Sequence, residues 1–373
     1  MAMSIAIQRN KTTFASVAQT KNERAVAAVA DTLAPGNSVY ESLLTFNSAE
    51  QARQAFKQLD GQVHADAAAA QIADSRYVRD AVNARLQQAQ ALNSDTKIQV
   101  DNSNGGWVQL LGGHTQLDSD HNATSYSTST TGVLLGLDTD IGDGWRIGGA
   151  TGYTKTDLKG SSRTSASSDN YHLSIYGGKR FDSIALRFGG ASTWHHFDTS
   201  RNVNYGNQSV HQKADYNART DQVFGEVGYT AWSAFEPFAN LAYVNFQNDA
   251  FKERGKAAAL RASKQSQDAI VSTVGVRGHM QLPVSSTRSV KLGGELGWEH
   301  QYGELERQSS LKFVGSEAAF AVGSVPASRD GAVVKASAEM AMTKDTLISL
   351  NYTGLVSSHG GGNAVNLGFT FQF

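Results

Sequence analysis

The sequence predicts an all-β transmembrane barrel of about twelve antiparallel strands, preceded by a helical segment. Three observations predict it. Periodicity changes near residue 104, from helical spacing in an Ala- and Gln-rich stretch to alternation in a stretch rich in Gly, Ser, Thr and aromatics. The connections between the alternating segments are short and long in turn. Each segment is apolar on one face and polar, charged or small on the other.

The helical part reads as several short helices. One runs from Glu23 to Leu33 and stops at Pro35-Gly36. Another starts at Ser48, with Gln51 three residues on as a capping box, and passes Phe56 and Leu59 to Asp60-Gly61. A third spans residues 74–92, with Val78, Val82 and Leu86 four apart on one face. At 1.5 Å per residue it would be about 28 Å long, close to the hydrocarbon thickness of a membrane.

The strands fall near 105–118, 128–141, 145–158, 167–181, 184–199, 213–232, 235–250, 267–282, 288–303, 330–343, 346–358 and 361–373. Tight turns occur at Gly142-Asp143-Gly144, Phe181-Asp182-Ser183, Ser233-Ala234-Phe235, 283–288 and Lys344-Asp345. Between them lie longer polar stretches at 119–127, 159–168, 200–212, 251–267 and 303–329, with 359–363 a short exception. Long loops on one rim and short turns on the other is the pattern of an outer-membrane barrel.

In the last strand Val365, Leu367, Phe369, Phe371 and Phe373 share one face, and Asn366, Gly368, Thr370 and Gln372 the other. Two arguments turn the apolar face outward. About twelve strands enclose a lumen too wide for one apolar residue in two to fill. The opposite face also carries Arg146, Arg187, Glu226, Arg277, Glu295, Glu299, Lys335 and Glu339 among many small residues, which suits a wet or plugged lumen. Trp107, Trp145, Tyr153, Tyr171, Trp232, Tyr243, Trp298, Tyr352 and Phe373 are candidates for interfacial belts.

Composition removes other classes. A net charge of −1 argues against a nucleic-acid partner. Zero Cys excludes disulfides and thiolate metal sites. No apolar run reaches the roughly 18 residues of a transmembrane helix. The first ten residues lack a signal-peptide pattern, so a fragment of a longer exported chain is expected. His195 and His196 are adjacent on a strand and face opposite sides, so they cannot share a metal. His114, His121, His211 and His359 fall at predicted rims. No G-x-S-x-G, P-loop or helical H-x-x-x-H is present. No catalytic residue, metal site or cofactor is expected.

Over nearly its whole length the chain resembles the autotransporter (type V secretion) translocator domain. The segment Gln58-Leu59-Asp60-Gly61-Gln62-Val63-His64-Ala65, followed by Asp74-Ser75-Arg76-Tyr77-Val78-Arg79-Asp80-Ala81-Val82, resembles that family's linker and pore helix. Trp107-Val108-Gln109 resembles its first strand, and the ending with Asn366, Gly368, Phe371 and Phe373 fits an outer-membrane assembly signal. The resemblance implies a helical linker or passenger remnant at 1–69, a pore-threading helix and periplasmic connection at 70–104, and the barrel at 105–373. It implies a monomer that exports an N-terminal passenger and anchors it at the cell surface, with a periplasmic C-terminus. Its partners would be the outer-membrane bilayer, the assembly machinery and periplasmic chaperones; a porin-like channel is the alternative. Pore-helix residues would be Arg76, Arg79, Asp80, Val82, Asn83, Arg85 and Leu86, facing the lumen charges Arg187, Glu226, Arg277, Glu295, Glu299, Lys335 and Glu339. Some members cut their linker at two adjacent Asn; here Asn83 stands alone, and cleavage is not expected.

Overall fold

In hydrocarbon a strand edge is not tolerated, because its N–H and C=O groups find no water. The chain meets this constraint by closure. The computed structural model describes residues 11–91, 104–230, 232 and 234–373; the expectations for the first ten residues and for most of the connection before the barrel concern residues outside these. Twelve strands form one closed antiparallel wall. They are β1 (Asn104–Leu117), β2 (Tyr126–Asp140), β3 (Trp145–Lys159), β4 (Ser165–Phe181), β5 (Ile184–Tyr205), β6 (Gln208–Tyr229), β7 (Phe235–Asn248), β10 (Gln265–Pro283), β11 (Ser289–Tyr302), β14 (Asp330–Ala341), β15 (Thr346–Ser357) and β16 (Gly360–Gln372). The seam pairs β1 with β16, from Gly105 opposite Gln372 to Leu117 opposite Gly360.

The outward face is apolar. Leu137, Ile175, Val223, Leu241, Leu296, Leu350 and Phe371 are all exposed on the wall. Trp145, Phe181, Phe188 and Tyr229 ring the short-turn end, and Tyr153, Tyr171, Trp194, Tyr243, Trp298 and Tyr352 ring the other. Tyr171 and Phe181 lie ten positions apart on β4. With a strand rise of 3.3 Å and a tilt near 40°, that separates the rings by roughly 25 Å, the height of an outer-membrane apolar band. Several rim aromatics bond an adjacent acceptor: Tyr153 to Asp169, Trp298 to Asp330 and Tyr352 to Asn363. Trp107 departs from the expected belt. It is buried on the lumen side, donating to the Tyr176 hydroxyl at 2.8 Å, with Gly136 on the neighbouring strand leaving room for its indole.

The long-loop rim is more ordered than its polar composition suggested. Residues 200–212 form not a loop but the tips of β5 and β6, a hairpin closed at Gly206. The two longest stretches fold into a second sheet of β8 (Phe251–Lys252), β9 (Leu260–Ala262), β12 (Gln308–Phe313) and β13 (Ala319–Gly323). Five helices join it: α1 (Phe14–Val17), α2 (Lys21–Ala30), α3 (Ser38–Leu43), α4 (Ala49–Leu59) and α5 (Gln62–Asp74); α2 and α5 contact the sheet, α3 and α4 contact β5, and α1 packs on α2 and α4. Their caps are local. Thr20 and Glu23 form a reciprocal capping box on α2, and Ser48 accepts from the Gln51 N–H at the start of α4. Val26, Ala27, Phe56, Leu59, Leu260, Leu311, Phe313 and Val322 are fully enclosed and share one core with Phe197 and Val203 of β5 and Phe246 of β7. Gly61, at φ 70°, starts α5 against this sheet; a Cβ there would stand 2.5 Å from Leu260 Cδ1. From this cap the chain enters the barrel as α6 (Arg76–Gln90). The helix expected from residue 74 therefore starts earlier, at Gln62. Ser75 keeps helical angles between α5 and α6, and the two together run about 43 Å.

A Leu311→Ala substitution should remove about 2–5 kcal/mol from the cap core. Limited proteolysis should then cut residues 14–72 sooner, while the heat-modifiable gel mobility of the barrel stays unchanged.

Candidate functional site

The lumen is the site. α6 is amphipathic, and its apolar stripe of Val78, Val82 and Leu86, with Ala81, packs on one side of the wall against Trp107, Leu134, Tyr176, Ala191, Phe224 and Ala242. Burial at Val82 and Leu86 is complete. These partners belong to β1, β2, β4, β5, β6 and β7, so the helix sits off-centre. On its other side a cavity of about 270 Å³ remains, lined by α6 and by β7, β10, β11, β14 and β15.

The polar side chains of α6 reach the wall directly. Arg76 donates to Glu299 at 3.1 Å, and Asp80 accepts from Lys335 at 3.1 Å. Arg85 grips Asp138 with Nε and Nη2, both at 2.7 Å. Gln88 donates to Glu339 at 2.7 Å and accepts from the Thr370 hydroxyl at 2.9 Å. Arg79 finds uncharged partners, Ser75 at 2.8 Å and Gln222 at 3.0 Å. Asn83 is buried, and its Oδ1 meets no hydrogen-bond partner among the described residues.

The wall charges form a continuous alternating chain. Lys335 reaches Glu295 at 3.7 Å, and Glu295 accepts from Arg277 at 3.1 Å. Arg277 donates to Glu226 and Glu236, each at 2.8 Å. Both carboxylates also accept from Arg187, at 2.8 and 2.9 Å. Arg180 pairs with Glu236 at 3.3 Å and donates to the Gln90 carbonyl at 2.9 Å. The chain thus leaves α6 at Asp80 and returns to it at Gln90. Buried charges persist only when paired and hydrogen-bonded, and removing one partner of such a pair costs about 3–5 kcal/mol.

Sequence reasoning named many of these residues and missed Asp138, Glu236, Arg180, Gln88 and Gln90. Asp138 was legible in principle: Leu135 and Leu137 face lipid, so Asp138 faces in. Glu236 and Arg180 lie beside tight turns, where alternation gives no direction. Gly368 sits in the seam opposite Gln109, Asn366 lines the cavity, and Phe371 and Phe373 stand exposed at the last strand's end. His195 faces the lumen between Asn170 and Thr220, while His196 faces out to Asn217. Among the described residues no group of three His, Asp or Glu is arranged to hold a metal.

A second polar cluster joins the cap to the hairpin. Glu253 accepts from Arg201 Nη2 at 2.6 Å and lies 3.0 Å from His64, whose other nitrogen meets the Tyr216 hydroxyl at 3.2 Å. Burial opposes the Glu253 charge, but Arg201 and His64 outweigh it and hold the carboxyl down at about 2. Asp60 and Asp66 have no ion pair among the described residues, and the more distant Arg201 and Lys57 do not offset burial at Asp60. Burial pushes Asp60 up to about 7, and pushes Asp66 well above the usual carboxylate range. His64 is wholly enclosed and cannot meet a substrate.

Residues 106–353 match the family model of the autotransporter β-domain. An extracellular serine protease of Serratia marcescens is 45% identical, the match covering all of this chain and 40% of that protein. A second such protease from the same organism is 48% identical, over 96% of this chain and 34% of its own length. The chain therefore spans well under half the length of these relatives. The translocator domain of the autotransporter NalP from Neisseria meningitidis superposes with a TM-score of 0.63 at 15% identity, over 84% of this chain and all of that one. The transport unit of AIDA-I from Escherichia coli gives 0.53 at 15% identity, over 78% and 97%. These two share the fold.

Asp60 and Asp66 are more acidic in the unfolded chain than in the cap, so each favours the folded cap below pH 4; Asp60 loses that contribution as pH rises through about 7, and Asp66 loses its own as pH rises through its raised value. Glu253 acts oppositely, favouring the cap above its ordinary value of 4.5 and losing that only as pH falls through about 2. Pulse proteolysis should find the cap less stable at pH 8 than at pH 5.5. Combining Asp60→Asn with Asp66→Asn should flatten that difference.

Proposed function

The chain belongs to the autotransporter β-domain family, the outer-membrane barrels that translocate a passenger, and we propose that α6 is the trailing end of the exported segment, retained in the pore. One observation carries this reading. α1 to α5 lie at the long-loop rim and β1 begins at the short-turn rim, so the chain passes from one to the other through the lumen as α6. On this reading the long-loop rim is extracellular, and the short-turn rim with Phe373 is periplasmic. Residues 1–69 are the end of the passenger's linker, 70–104 the pore-threading segment and 105–373 the translocator.

The same reading gives the partners. The outward apolar face meets the bilayer. The terminal strand with Asn366, Gly368, Phe371 and Phe373 is the element that assembly machinery and periplasmic chaperones recognise. The relatives named as extracellular serine proteases support a protease as the passenger, its active site lying in the part of those proteins this chain does not span. The barrel itself needs no catalytic group, cofactor or nucleic acid to do this work, and it acts as a monomer.

A porin-like channel is the competing reading. A porin keeps a wide aqueous lumen, whereas α6 leaves a cavity of about 270 Å³. Planar-bilayer recording separates the two. The intact chain should conduct weakly, and deleting residues 76–91 should raise conductance several-fold; a large steady conductance in the intact chain would overturn the proposal. An epitope placed ahead of residue 11 should also bind antibody on unpermeabilised cells.

A further inference from the structure

The two kinds of contact between α6 and the wall respond differently to sliding. Val78, Val82 and Leu86 are four residues apart, so moving the helix by one turn replaces Val82 by Val78 or Leu86 and keeps two of the three apolar positions filled, the third passing to Asp74 or Gln90. Arg85 and Tyr77 have no such substitutes. Four residues before and after Arg85 stand Ala81 and Ala89, and around Tyr77 stand Ala73 and Ala81. A one-turn slip therefore keeps two of the three apolar contacts and loses both the Arg85 and Tyr77 contacts, together with the Arg76–Glu299 and Asp80–Lys335 pairs.

The wall is shaped for those two side chains. The Asp138 side chain is fully enclosed and accepts four hydrogen bonds. Two come from Arg85, one from Arg146 Nη1 at 2.6 Å and one from the Tyr176 hydroxyl at 2.8 Å. Tyr176 is itself fixed by Trp107. Arg146, Tyr176 and Trp107 all belong to the barrel, so the carboxylate is aimed before the helix arrives, which lowers the ordering cost of binding. Glycines make room beside it. A Cβ at Gly105 would stand 2.2 Å from Arg85 Nη2, and a Cβ at Gly113 would stand 2.2 Å from the Tyr77 hydroxyl. Gly105 and Gly113 lie eight positions apart on β1, and Arg85 and Tyr77 eight positions apart on α6. Strand and helix run in opposite directions past each other.

We infer that this wall, centred on Asp138 with the Gly105 and Gly113 notches, is a preformed receptor for one register of α6 and halts the exported chain there. The inference rests on the reading of α6 as the end of the exported segment. The apolar stripe lets the helix slide, and the Arg85 clamp stops it. Stopping in this register also presents α1 to α5 to the loop sheet in the position where their shared core closes.

Distances between spin labels on the full-length chain test this. The chain has no Cys, so Ala84→Cys on α6 and Lys344→Cys in an exposed turn can be labelled cleanly. The parent should give one narrow distance. Arg85→Gln, which leaves the barrel wall untouched, and Asp138→Asn should broaden it or add a population displaced by about 5.4 Å, one helical turn. Adding Tyr77→Ala to Arg85→Gln should increase the displaced share. Heat-modifiable gel mobility confirms that each variant has assembled, and Arg85→Gln remains informative if Asp138→Asn fails to assemble. A narrow, unshifted distance in Arg85→Gln/Tyr77→Ala overturns the receptor. A broad distance already in the parent instead overturns the pore reading on which it rests.

Discussion

Backbone hydrogen bonding in hydrocarbon is the constraint on which the rest of the molecule depends. A strand inside lipid must pair on both sides, so the twelve strands close, with Gly105 opposite Gln372 at the seam. Closure and the two-residue pleat then dictate a lumen lined by every second residue. Once the outward face is apolar, the inward face can carry polar groups, and an interior this wide holds either water or a plug. α6 and the wall charges are the filling.

The filling is uneven. On the β1 to β6 side, Trp107, Leu134, Tyr176 and Phe224 make an inward apolar patch that buries the stripe of α6. On the other side the alternating chain from Asp80 to Gln90 satisfies its own charges and leaves a cavity. This division gives the lumen two properties. The charges cancel one another, so the open side offers a passing chain little net field. The apolar patch and Asp138 give a helix a definite place to rest.

The long-loop end uses different physics. Outside the band there is water, and the loops fold as soluble structure does, by burying apolar side chains. Leu260, Leu311, Phe313 and Val322 from the two longest loops have no complete core alone; Val26, Phe56 and Leu59 from the N-terminal helices complete it. Arg201, Glu253 and His64 pin the junction. Cap and pore helix are one continuous stretch of chain, so the seating of either positions the other. Asp60 and Asp66, buried with no ion pair among the described residues, are the weak element of that cap as they ionise.

Read alone, the sequence determined the barrel, the strands within the wall, the lipid-facing side and many of the lumen charges. These are properties of period two and of which residues tolerate lipid, both local and repeated along the chain. It also determined the apolar stripe Val78, Val82 and Leu86, for the same reason at period 3.6. Only the tertiary structure decided which charges meet. Arg85 and Asp138 are far apart in sequence, and their pairing depends on the helix's rotation and depth in the lumen, which no local pattern encodes. Trp107 turned inward and the polar loops became a sheet for a related reason. Each depends on a partner from elsewhere in the chain, Tyr176 in one case and the N-terminal helices in the other, and burial against a distant partner overrides the preference a residue shows by itself.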